Sequence, residues 1–216
     1  MTAPGSIPLL IVGAGGHARV VADIARLAGY SVAAFLDDVH TARHGTPFCG
    51  SVIAGGLEQL SALAHAGVRH AVVAIGDCRA RLEAATRATD AGMELAVMIH
   101  PRAIHSSDAT IGAGTVLVAG AIVNPGAWIG ANAIINTAAT VDHDCIIEDG
   151  VHIACGAHLA GHVQVGRGSW VGIGAVVKER VRIGAQTIVG AGALVLKDLP
   201  DGVMAYGSPA RVIQHV

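Results

Sequence analysis

Residues 111–146 read IGAGTV LVAGAI VNPGAW IGANAI INTAAT VDHDCI when divided into sixes, and the same spacing continues to Val195. The first position of each hexad is aliphatic fifteen times in succession: Ile111, Leu117, Val123, Ile129, Ile135, Val141, Ile147, Ile153, Leu159, Val165, Val171, Val177, Ile183, Val189 and Val195. The fifth position is small, apart from Val151, Val163 and Val181. This part of the chain is therefore an internal repeat of fixed period.

The period of six fits neither a helix, which repeats every 3.6 residues, nor an isolated amphipathic strand, which repeats every two. We expect a three-sided parallel β-prism in which each hexad supplies one short strand, with its first and fifth residues pointing inward. The second position would turn the corner, and glycine or asparagine suits it because these residues tolerate unusual backbone angles. Second-position residues of this kind are Gly112, Asn124, Gly130, Asn136, Gly166, Gly172, Gly184 and Gly190. Three hexads per coil predict five coils, a column about 20 to 25 Å long.

This pattern resembles the left-handed parallel β-helix of hexapeptide-repeat acyltransferases, over residues 104–213. The left hand is implied by the resemblance, because the period alone does not determine it and general crossover rules favour the other hand.

The composition predicts an oligomer. Hydrophobic residues make up 52% of the 216-residue chain and charged residues only 14%, so we expect much of its surface to be buried between subunits. Apolar runs such as residues 71–75 are too short to cross a bilayer, and the N-terminus lacks the basic start of a secretory signal. We therefore expect a cytoplasmic protein with no membrane insertion.

Nucleic acid is not an expected partner. The formal net charge is −2 and the chain has only six aromatic residues to stack on bases. The four cysteines include no CxxC pair, and Cys145 falls at a small inward position that favours a buried structural thiol.

The segment before the repeat alternates strands and helices. A strand at residues 8–12 leads into the turn Gly13-Ala14-Gly15-Gly16-His17 and then into a helix. Further strands are predicted at residues 31–36, 70–75 and 94–99, with a helix at 79–91. The sequence thus predicts a small Rossmann-like α/β domain with a parallel sheet over residues 1–98, followed by the β-helix domain and its C-terminal tail over residues 99–216.

The glycine turn matches G-x-G-x-x-A, a pattern that lets backbone N–H groups approach a phosphate. It could also be only a tight strand-to-helix connection, or a nicotinamide dinucleotide site with Asp37 on the ribose. We favour another ligand, because the domain is too short for six strands and no hydride-transfer chemistry follows it.

Outward positions of the prism carry a concentration of histidine and aspartate, and His143 is the best candidate for catalysis. Acyl transfer needs a base of near-neutral pKa and a donor for the oxyanion. Residues eighteen apart stack on adjacent coils about 4.8 Å apart, so His143 should lie beside Gly161, which leaves room for a thioester and exposes its N–H. The orienting carboxylate would be Asp144 or Asp142, or come from a neighbouring subunit, because adjacent residues of an extended chain point apart.

Other readings of the histidines remain open. His143 could be an ordinary exposed corner residue, and His152 and His158 occupy sixth positions, which should face outward and could pack against another subunit. A zinc site built from His152, His158 and His162 is an alternative, because imidazole is a common zinc ligand. It is disfavoured because equivalent strand positions on different sides of a prism do not converge within one chain.

Six short motifs together narrow the resemblance: residues 13–17, Asp37-Asp38, residues 74–77, residues 135–137, His143-Asp144 and residues 207–210. With them the chain resembles the nucleotide amino-sugar acetyltransferases of the bacillosamine and perosamine pathways, and the related sialic acid O-acetyltransferases.

The resemblance implies a role for particular residues. The nucleotide of a nucleotide-linked sugar would contact Gly13, Gly15, Gly16, His17, Asp37 and Asp38, and Asn136 would lie at the substrate. His143 would be the general base, supported by Asp144, with His152 near the acetyl group and the Gly161 N–H on the thioester. Ile173 and Gly190 would contact coenzyme A, which runs between two β-helices of a homotrimer whose active sites are shared by neighbours. No metal is expected.

We therefore expect direct acetyl transfer from acetyl-CoA to the 4-amino group of a nucleotide-linked 4-amino-4,6-dideoxy sugar, such as GDP-perosamine or a UDP-linked bacillosamine precursor. The alternatives are sialic acid O-acetylation and a non-catalytic β-helix protein that binds a nucleotide or a metal. The sequence leaves the choice between GDP and UDP open.

Overall fold

The computed structural model describes residues 6–216, and the chain divides into two compact units, the second of which begins at Arg102. No helix within residues 6–216 is long and apolar enough to span a membrane.

The first unit is an α/β domain. Its strands are β1 (Ile7–Val12), β2 (Tyr30–Leu36), β3 (Pro47–Phe48), β4 (Ser51–Gly55), β5 (His70–Val73), β6 (Glu94–Leu95) and β7 (Met98–Ile99). Its helices are α1 (Gly16–Leu27), α2 (Leu60–His65) and α3 (Cys78–Asp90), with short 3₁₀ turns at Thr41–Arg43 and Leu57–Gln59. The sheet has the order β3-β4-β2-β1-β5-β6 and is parallel except for the antiparallel β3–β4 pair. The predicted parallel α/β class is confirmed.

Strand β1 lies in the centre of this sheet. Its residues Leu9 to Val12 are all almost completely buried, in keeping with a parallel strand covered on both faces. Helix α1 places Val21 and Ile24 in the core, and the other helices pack Leu60, Ala84 and Ala88 into the cluster formed by β1, β2 and β5.

One local prediction for this unit was wrong, and two of its features were not predicted. The strand expected at residues 94–99 is divided into β6 and β7, because pairing with β5 ends at Ala96. The hairpin β3–β4 and helix α2 were missed. The hairpin turns through Cys49 and Gly50, which both have positive φ, and a Cys-Gly pair is not among the usual sequence signals for such a turn.

The second unit is built from sixteen two-residue strands followed by a hairpin. The strands are β8 (Ile104–His105), β9 (Thr110–Ile111), β10 (Val116–Leu117), β11 (Ile122–Val123), β12 (Trp128–Ile129), β13 (Ile134–Ile135), β14 (Thr140–Val141), β15 (Ile146–Ile147), β16 (His152–Ile153), β17 (His158–Leu159), β18 (Gln164–Val165), β19 (Trp170–Val171), β20 (Val176–Val177), β21 (Arg182–Ile183), β22 (Ile188–Val189) and β23 (Leu194–Val195). Strands β24 (Val203–Gly207) and β25 (Ala210–His215) form the hairpin.

Each of the strands β8 to β20 pairs in parallel with the strand three further along, so that residues eighteen apart stack. Three sheets result, one for each side of the prism, and β24 extends the side that contains β22. The predicted left-handed parallel β-helix is confirmed. It begins before the aliphatic repeat, since β8 pairs with β11 although it carries the exposed His105 where later hexads carry an aliphatic residue.

The prism interior is closely packed. The first-position aliphatic residues from Leu117 to Val195 are at most 2% exposed. The polar fifth-position residues Thr115, Ser169 and Thr187 are also fully buried, and their hydroxyl groups donate to the carbonyl oxygens of Gly130, Gly184 and Pro200. Satisfying each buried hydroxyl in this way avoids the cost of an unpaired polar group.

The expected reason for second-position glycines was wrong. Positive φ angles occur at the fourth hexad position, which includes Asp144 and His162, and not at the second. A Cβ on Gly112 would lie 2.5 Å from the backbone of Gly130, and Gly166 is equally restricted by Ala185. These corners need glycine because the next coil leaves no space for a side chain.

Candidate active site

The first unit contains a cavity of about 510 Å³ at the carboxyl ends of β1, β2 and β5. This edge of a parallel sheet is where open α/β folds bind ligands. The six residues predicted to contact the nucleotide all line it: Gly13, Gly15, Gly16, His17, Asp37 and Asp38.

The glycines of the turn have different functions. Gly13 has φ +107°, and a Cβ there would lie 2.9 Å from the carbonyl oxygen of Ala74 at the end of β5. Only glycine therefore allows the two strand ends to approach. A Cβ on Gly15 or on Gly16 would meet no atom within 4 Å, so the backbone of both residues borders open space at the N-terminus of α1. This geometry suits an anion.

Asp37 is buried and engaged by its own loop. Its carboxylate accepts hydrogen bonds from the N–H groups of Val39 and His40, and its Oδ2 lies 3.1 Å from His40 Nδ1. Burial opposes ionisation of Asp37, but these hydrogen bonds outweigh it, and the pKa is lowered overall. Asp37 therefore remains charged and fixes the loop that borders the cavity.

Asp38 is also held by the protein. Its Oδ1 accepts the N–H of Leu57 at 2.7 Å, and its Oδ2 accepts a hydrogen bond from Arg87 at 3.2 Å. Asp38 thus connects the cavity wall to two neighbouring segments, whereas the Asp37 carboxylate is held within its own loop.

Arg81 was not predicted as a functional residue. It is 1% exposed, and its Nη1 donates to the carbonyl oxygens of Ile75, Gly76 and Asp77, the segment that follows β5. Burial lowers the pKa of its guanidinium. The sequence gives no signal for this role, because an arginine on an alanine-rich helix is ordinarily exposed.

In the second unit, His143 and Asp144 form a hydrogen-bonded pair at one corner of the prism. His143 Nδ1 lies 2.8 Å from Asp144 Oδ2. Asp144 has φ +57°, which turns its side chain back toward the preceding residue, so the extended-chain argument does not apply. The hydrogen bond to Asp144 is the main cause that raises the pKa of His143 above its ordinary value.

Asp142 does not orient the imidazole. Its Oδ1 accepts hydrogen bonds from Asn124 Nδ2 and from the backbone N–H of His143, both at 2.7 Å. These bonds lower the pKa of Asp142. Asp142 therefore fixes the backbone of His143, and Asp144 contacts the ring.

The other ring nitrogen of His143 faces Gly161. A Cβ on Gly161 would lie 2.5 Å from His143 Nε2, so only glycine leaves space for the ring in this position. The backbone stacks as expected, with the N–H of His162 donating to the carbonyl oxygen of His143 at 2.9 Å. A neutral ring that donates its Nδ1–H to Asp144 carries its lone pair on Nε2.

His152 lies on the outer face of the prism, as its sixth hexad position predicted, but its side chain is largely covered from solvent. It is 8% exposed because Trp170 on the next coil stacks on its ring, with centroids 5.8 Å apart. Its Nε2 accepts a hydrogen bond from Asn136 Nδ2 at 3.0 Å. The Asn136 amide is oriented by the N–H of Thr137, which donates to Oδ1.

Ile173 and Gly190 lie at a different corner of the prism from His143. Ile173 is 59% exposed, and Gly190 is required because a Cβ would lie 2.6 Å from Tyr206 Cβ. The Gly192 N–H donates to the carbonyl oxygen of Ile173, which places these residues on adjacent coils. One chain therefore does not bring them to the His143 corner.

His143, Asp144 and His162 form a group that we call the corner cluster. One ligand atom from each lies within 4.8 Å of the others, and His162 Nε2 is 3.7 Å from Asp144 Oδ2. His152 and His158 are not part of the cluster, as expected for residues on other sides of the prism. His158 is exposed, and its Nδ1 lies 2.9 Å from Thr140 Oγ1.

Comparison with known families agrees with this architecture. Residues 8–88 match the model of the PglD N-terminal domain, and residues 162–197 match the bacterial transferase hexapeptide (six repeats). No curated protein sequence matches the chain significantly.

Solved structures extend the match to nearly the whole chain. A histidine-to-asparagine variant of perosamine N-acetyltransferase from Caulobacter crescentus, in complex with CoA and GDP-perosamine, is 41% identical, with 98% of each chain covered and a TM-score of 0.92. The acetyltransferase domain of PglB from Neisseria gonorrhoeae FA1090, in complex with acetyl coenzyme A, is 38% identical over 97% of this chain and 100% of that chain, with a TM-score of 0.89. WeeI from Acinetobacter baumannii AYE, at 24% identity, 96% and 100% coverage and a TM-score of 0.79, shares the fold.

The fold and these matches define the chain as an acyltransferase of the hexapeptide-repeat class. Within that class, the chain belongs to the sugar O/N-acyltransferase family that carries a PglD-type N-terminal domain.

Proposed function

We propose that this enzyme transfers the acetyl group of acetyl-CoA to the 4-amino group of a nucleotide-linked 4-amino-4,6-dideoxy sugar, such as GDP-perosamine or a UDP-linked bacillosamine precursor. One observation carries the proposal: the His143 ring is held by Asp144 on one nitrogen and directs the other toward Gly161. The relatives crystallised with CoA and GDP-perosamine, or with acetyl coenzyme A, support this choice of substrates.

His143 acts as the general base. Its Nε2 takes a proton from the sugar amine as the nitrogen attacks the thioester carbonyl, and Asp144 stabilises the imidazolium that forms. The N–H of Gly161 stabilises the oxyanion. When the tetrahedral intermediate collapses, the C–S bond breaks, the new amide remains, and CoA leaves as a thiol after taking the proton from His143.

Transfer is direct, without an acyl-enzyme. The nearest thiol in the chain, Cys145, is buried inside the prism and donates to the carbonyl oxygen of Ala160. Burial raises the pKa of Cys145 to about 11, so it is not a competent nucleophile near neutral pH.

The cavity of the first unit holds the nucleotide. Its diphosphate lies on the backbone of Gly13, Gly15 and Gly16 at the N-terminus of α1, beside His17, where N–H groups and the helix dipole favour negative charge. Asp37 and Asp38 bound the site and, through their internal hydrogen bonds, keep the loops around it in place.

Acetyl-CoA lies in a groove between two β-helices of a homotrimer. Ile173 and Gly190 contribute to this groove. Because they lie at a different corner of the prism from His143, an active site that contains all three residues needs two subunits. The exposed side chains of Trp128, Ile146 and Val176 supply apolar surface for this assembly. His152 and Asn136 lie near the acetyl group and the substrate.

The cytoplasm is the proposed location. All four cysteines, which fall within residues 6–216, are free thiols, as in proteins of a reducing compartment.

A thiol-release assay tests the reaction with acetyl-CoA and three acceptors: GDP-perosamine, a UDP-linked 4-amino-4,6-dideoxy sugar and free sialic acid. Turnover on one of the two nucleotide amino sugars is expected, and the preferred acceptor shows whether the enzyme uses a GDP-linked or a UDP-linked sugar. Turnover on sialic acid alone would instead make this an O-acetyltransferase. Light scattering of the purified protein, with a trimer mass expected, tests the assembly.

A further inference from the structure

The corner cluster brings two imidazoles and a carboxylate together because of the helical repeat. Asp144 and His162 are eighteen residues apart, so they stack on adjacent coils at the same corner. Both have left-handed backbone angles, with φ +57° and +60°. His143 joins them because Asp144 turns back onto its ring, and the rings of His143 and His162 meet edge-to-face at 5.1 Å.

Two of the ligand-atom separations within the cluster are close to those around a small divalent ion. Zinc bonds of about 2.0 to 2.1 Å in tetrahedral geometry require ligand atoms about 3.3 Å apart. Asp144 Oδ2 lies 2.8 Å from His143 Nδ1 and 3.7 Å from His162 Nε2, and these two values bracket that requirement. The three ligand atoms all lie within 4.8 Å of one another, and the half-exposed side chains leave room for the rotation that a third ligand bond would need.

We propose that His143, Asp144 and His162 form an inhibitory site for zinc(II). Imidazole and carboxylate are ordinary zinc ligands, and water would occupy the fourth position. The side chains of all three residues are between 44% and 52% exposed, so the ion can reach them from solvent.

Zinc at this site removes the base. A neutral imidazole has one N–H and one lone pair, so a metal ion on Nδ1 of His143 leaves the proton on Nε2. A metal ion on Nε2 occupies the catalytic lone pair directly. In either arrangement the ring cannot accept a proton from the amine. The binding site stands by itself, whereas the inhibition rests on the proposed function.

The surrounding charges permit a cation. Asp142 and Asp144 both lie close enough to His143 to act on it electrostatically, and the nearby cation is Arg180, which follows His162 one coil further on. Two carboxylates therefore oppose one guanidinium, and solvent screens the exposed charges. The hydrogen bond from Asn124 holds Asp142 beside the site.

Direct binding is tested first, without substrates. Metal-free enzyme is titrated with zinc sulfate in competition with a chromophoric chelator, and His162→Asn is compared with the unmodified enzyme. Asparagine tolerates the left-handed backbone at this corner, which protects the fold, and His162→Gly repeats the test. His65→Gln is the matched control, because it removes an exposed histidine from the first unit.

Loss of an outer-shell partner usually weakens metal affinity about 10- to 100-fold, so loss of a direct ligand should weaken it at least that much. We expect this loss in both His162 variants and none in His65→Gln. Equal zinc affinity in all four proteins would overturn the site.

Inhibition is measured in metal-buffered solutions by chromatography of the acetylated sugar, because the released CoA thiol itself binds zinc. The unmodified enzyme should lose turnover as zinc rises, and His162→Asn should resist it while retaining near-normal turnover without zinc. Equal zinc sensitivity of the two would overturn the inhibitory role. If no acceptor is acetylated at all, the proposed function fails while the binding result still decides the site.

Discussion

Asp144 reaches the imidazole of the residue immediately before it, with 2.8 Å between Asp144 Oδ2 and His143 Nδ1. A left-handed backbone at Asp144 makes this contact possible, because in an extended strand the two side chains would point apart. A base and its orienting acid are thus supplied by consecutive residues at one turn of the β-helix.

Replacing His143 should remove most of the turnover. General-base catalysis usually contributes about 10²- to 10⁴-fold, so His143→Asn should reduce kcat by that order. Binding of CoA, measured by calorimetry, should change little, because the ring is proposed to move a proton and not to hold the cofactor. Near-normal turnover of a folded His143→Asn enzyme would exclude His143 as the base.

The pH dependence of kcat/KM should show the effect of Asp144 on the pKa of His143. Asp144 raises the pKa of His143, and the base is active in its neutral form, which exists above that pKa. Asp144→Asn removes the negative partner, so the pKa should fall and the acid limb of kcat/KM should move to lower pH, with a lower plateau. Asp142→Asn is the control, because Asp142 does not contact the ring. If its acid limb moved further than that of Asp144→Asn, Asp142 and not Asp144 would be the acid that supports His143.

A methyl group at Gly161 should interfere with the base. The Cβ of Gly161→Ala would lie 2.5 Å from His143 Nε2, so the ring must rotate away and kcat should fall. Adding the same change to His143→Ala should cause little further loss, since the group that it displaces is already absent. Thermal unfolding of all three variants serves as the control for folding. Independent, multiplicative losses would show that Gly161 acts elsewhere.

A comparison of Gly13→Ala with Gly29→Ala distinguishes the effect of backbone strain from that of a steric clash. Both have positive φ, but a Cβ on Gly13 would lie 2.9 Å from the Ala74 carbonyl oxygen, whereas one on Gly29 would meet nothing within 4 Å. Each alanine substitution carries a strain of about 1 to 3 kcal/mol. Gly13→Ala should therefore lower Tm more and raise KM for the nucleotide sugar, while Gly29→Ala leaves KM unchanged. Similar effects at both positions would contradict the proposed approach of β1 and β5.

Arg81 should support nucleotide binding indirectly. Arg81→Met deprives three carbonyl groups beside the cavity of a donor, at a cost of about 1 to 3 kcal/mol in unfolding free energy for a buried unsatisfied group. We expect KM for the nucleotide sugar to rise with kcat nearly constant. Arg79→Met, which breaks an exposed ion pair with Glu83 on the same helix, should affect neither; a change in kcat alone for Arg81→Met would contradict a positioning role.

Several site features were accessible from the sequence because they depend on chain order. Stacking of His143 beside Gly161 follows from the eighteen-residue coil, and the glycine turn after β1 marks the cavity. The stacking of Trp170 on His152 has the same eighteen-residue spacing, so the burial of His152 was also accessible from the sequence, although it was not predicted. Arg81 was missed because the carbonyl groups that it binds belong to a strand end, and chain order alone does not bring them to a helix side chain.

By itself, the sequence determined the β-helix and the α/β domain, because a period of six and an alternation of strands and helices each have few ways to bury apolar side chains. It also determined which residues share a column of the prism. Only the tertiary structure decided which side chains meet across a corner. Those contacts depend on the left-handed angles of Asp144 and His162, which the packing of successive coils imposes on these two residues although neither is a glycine.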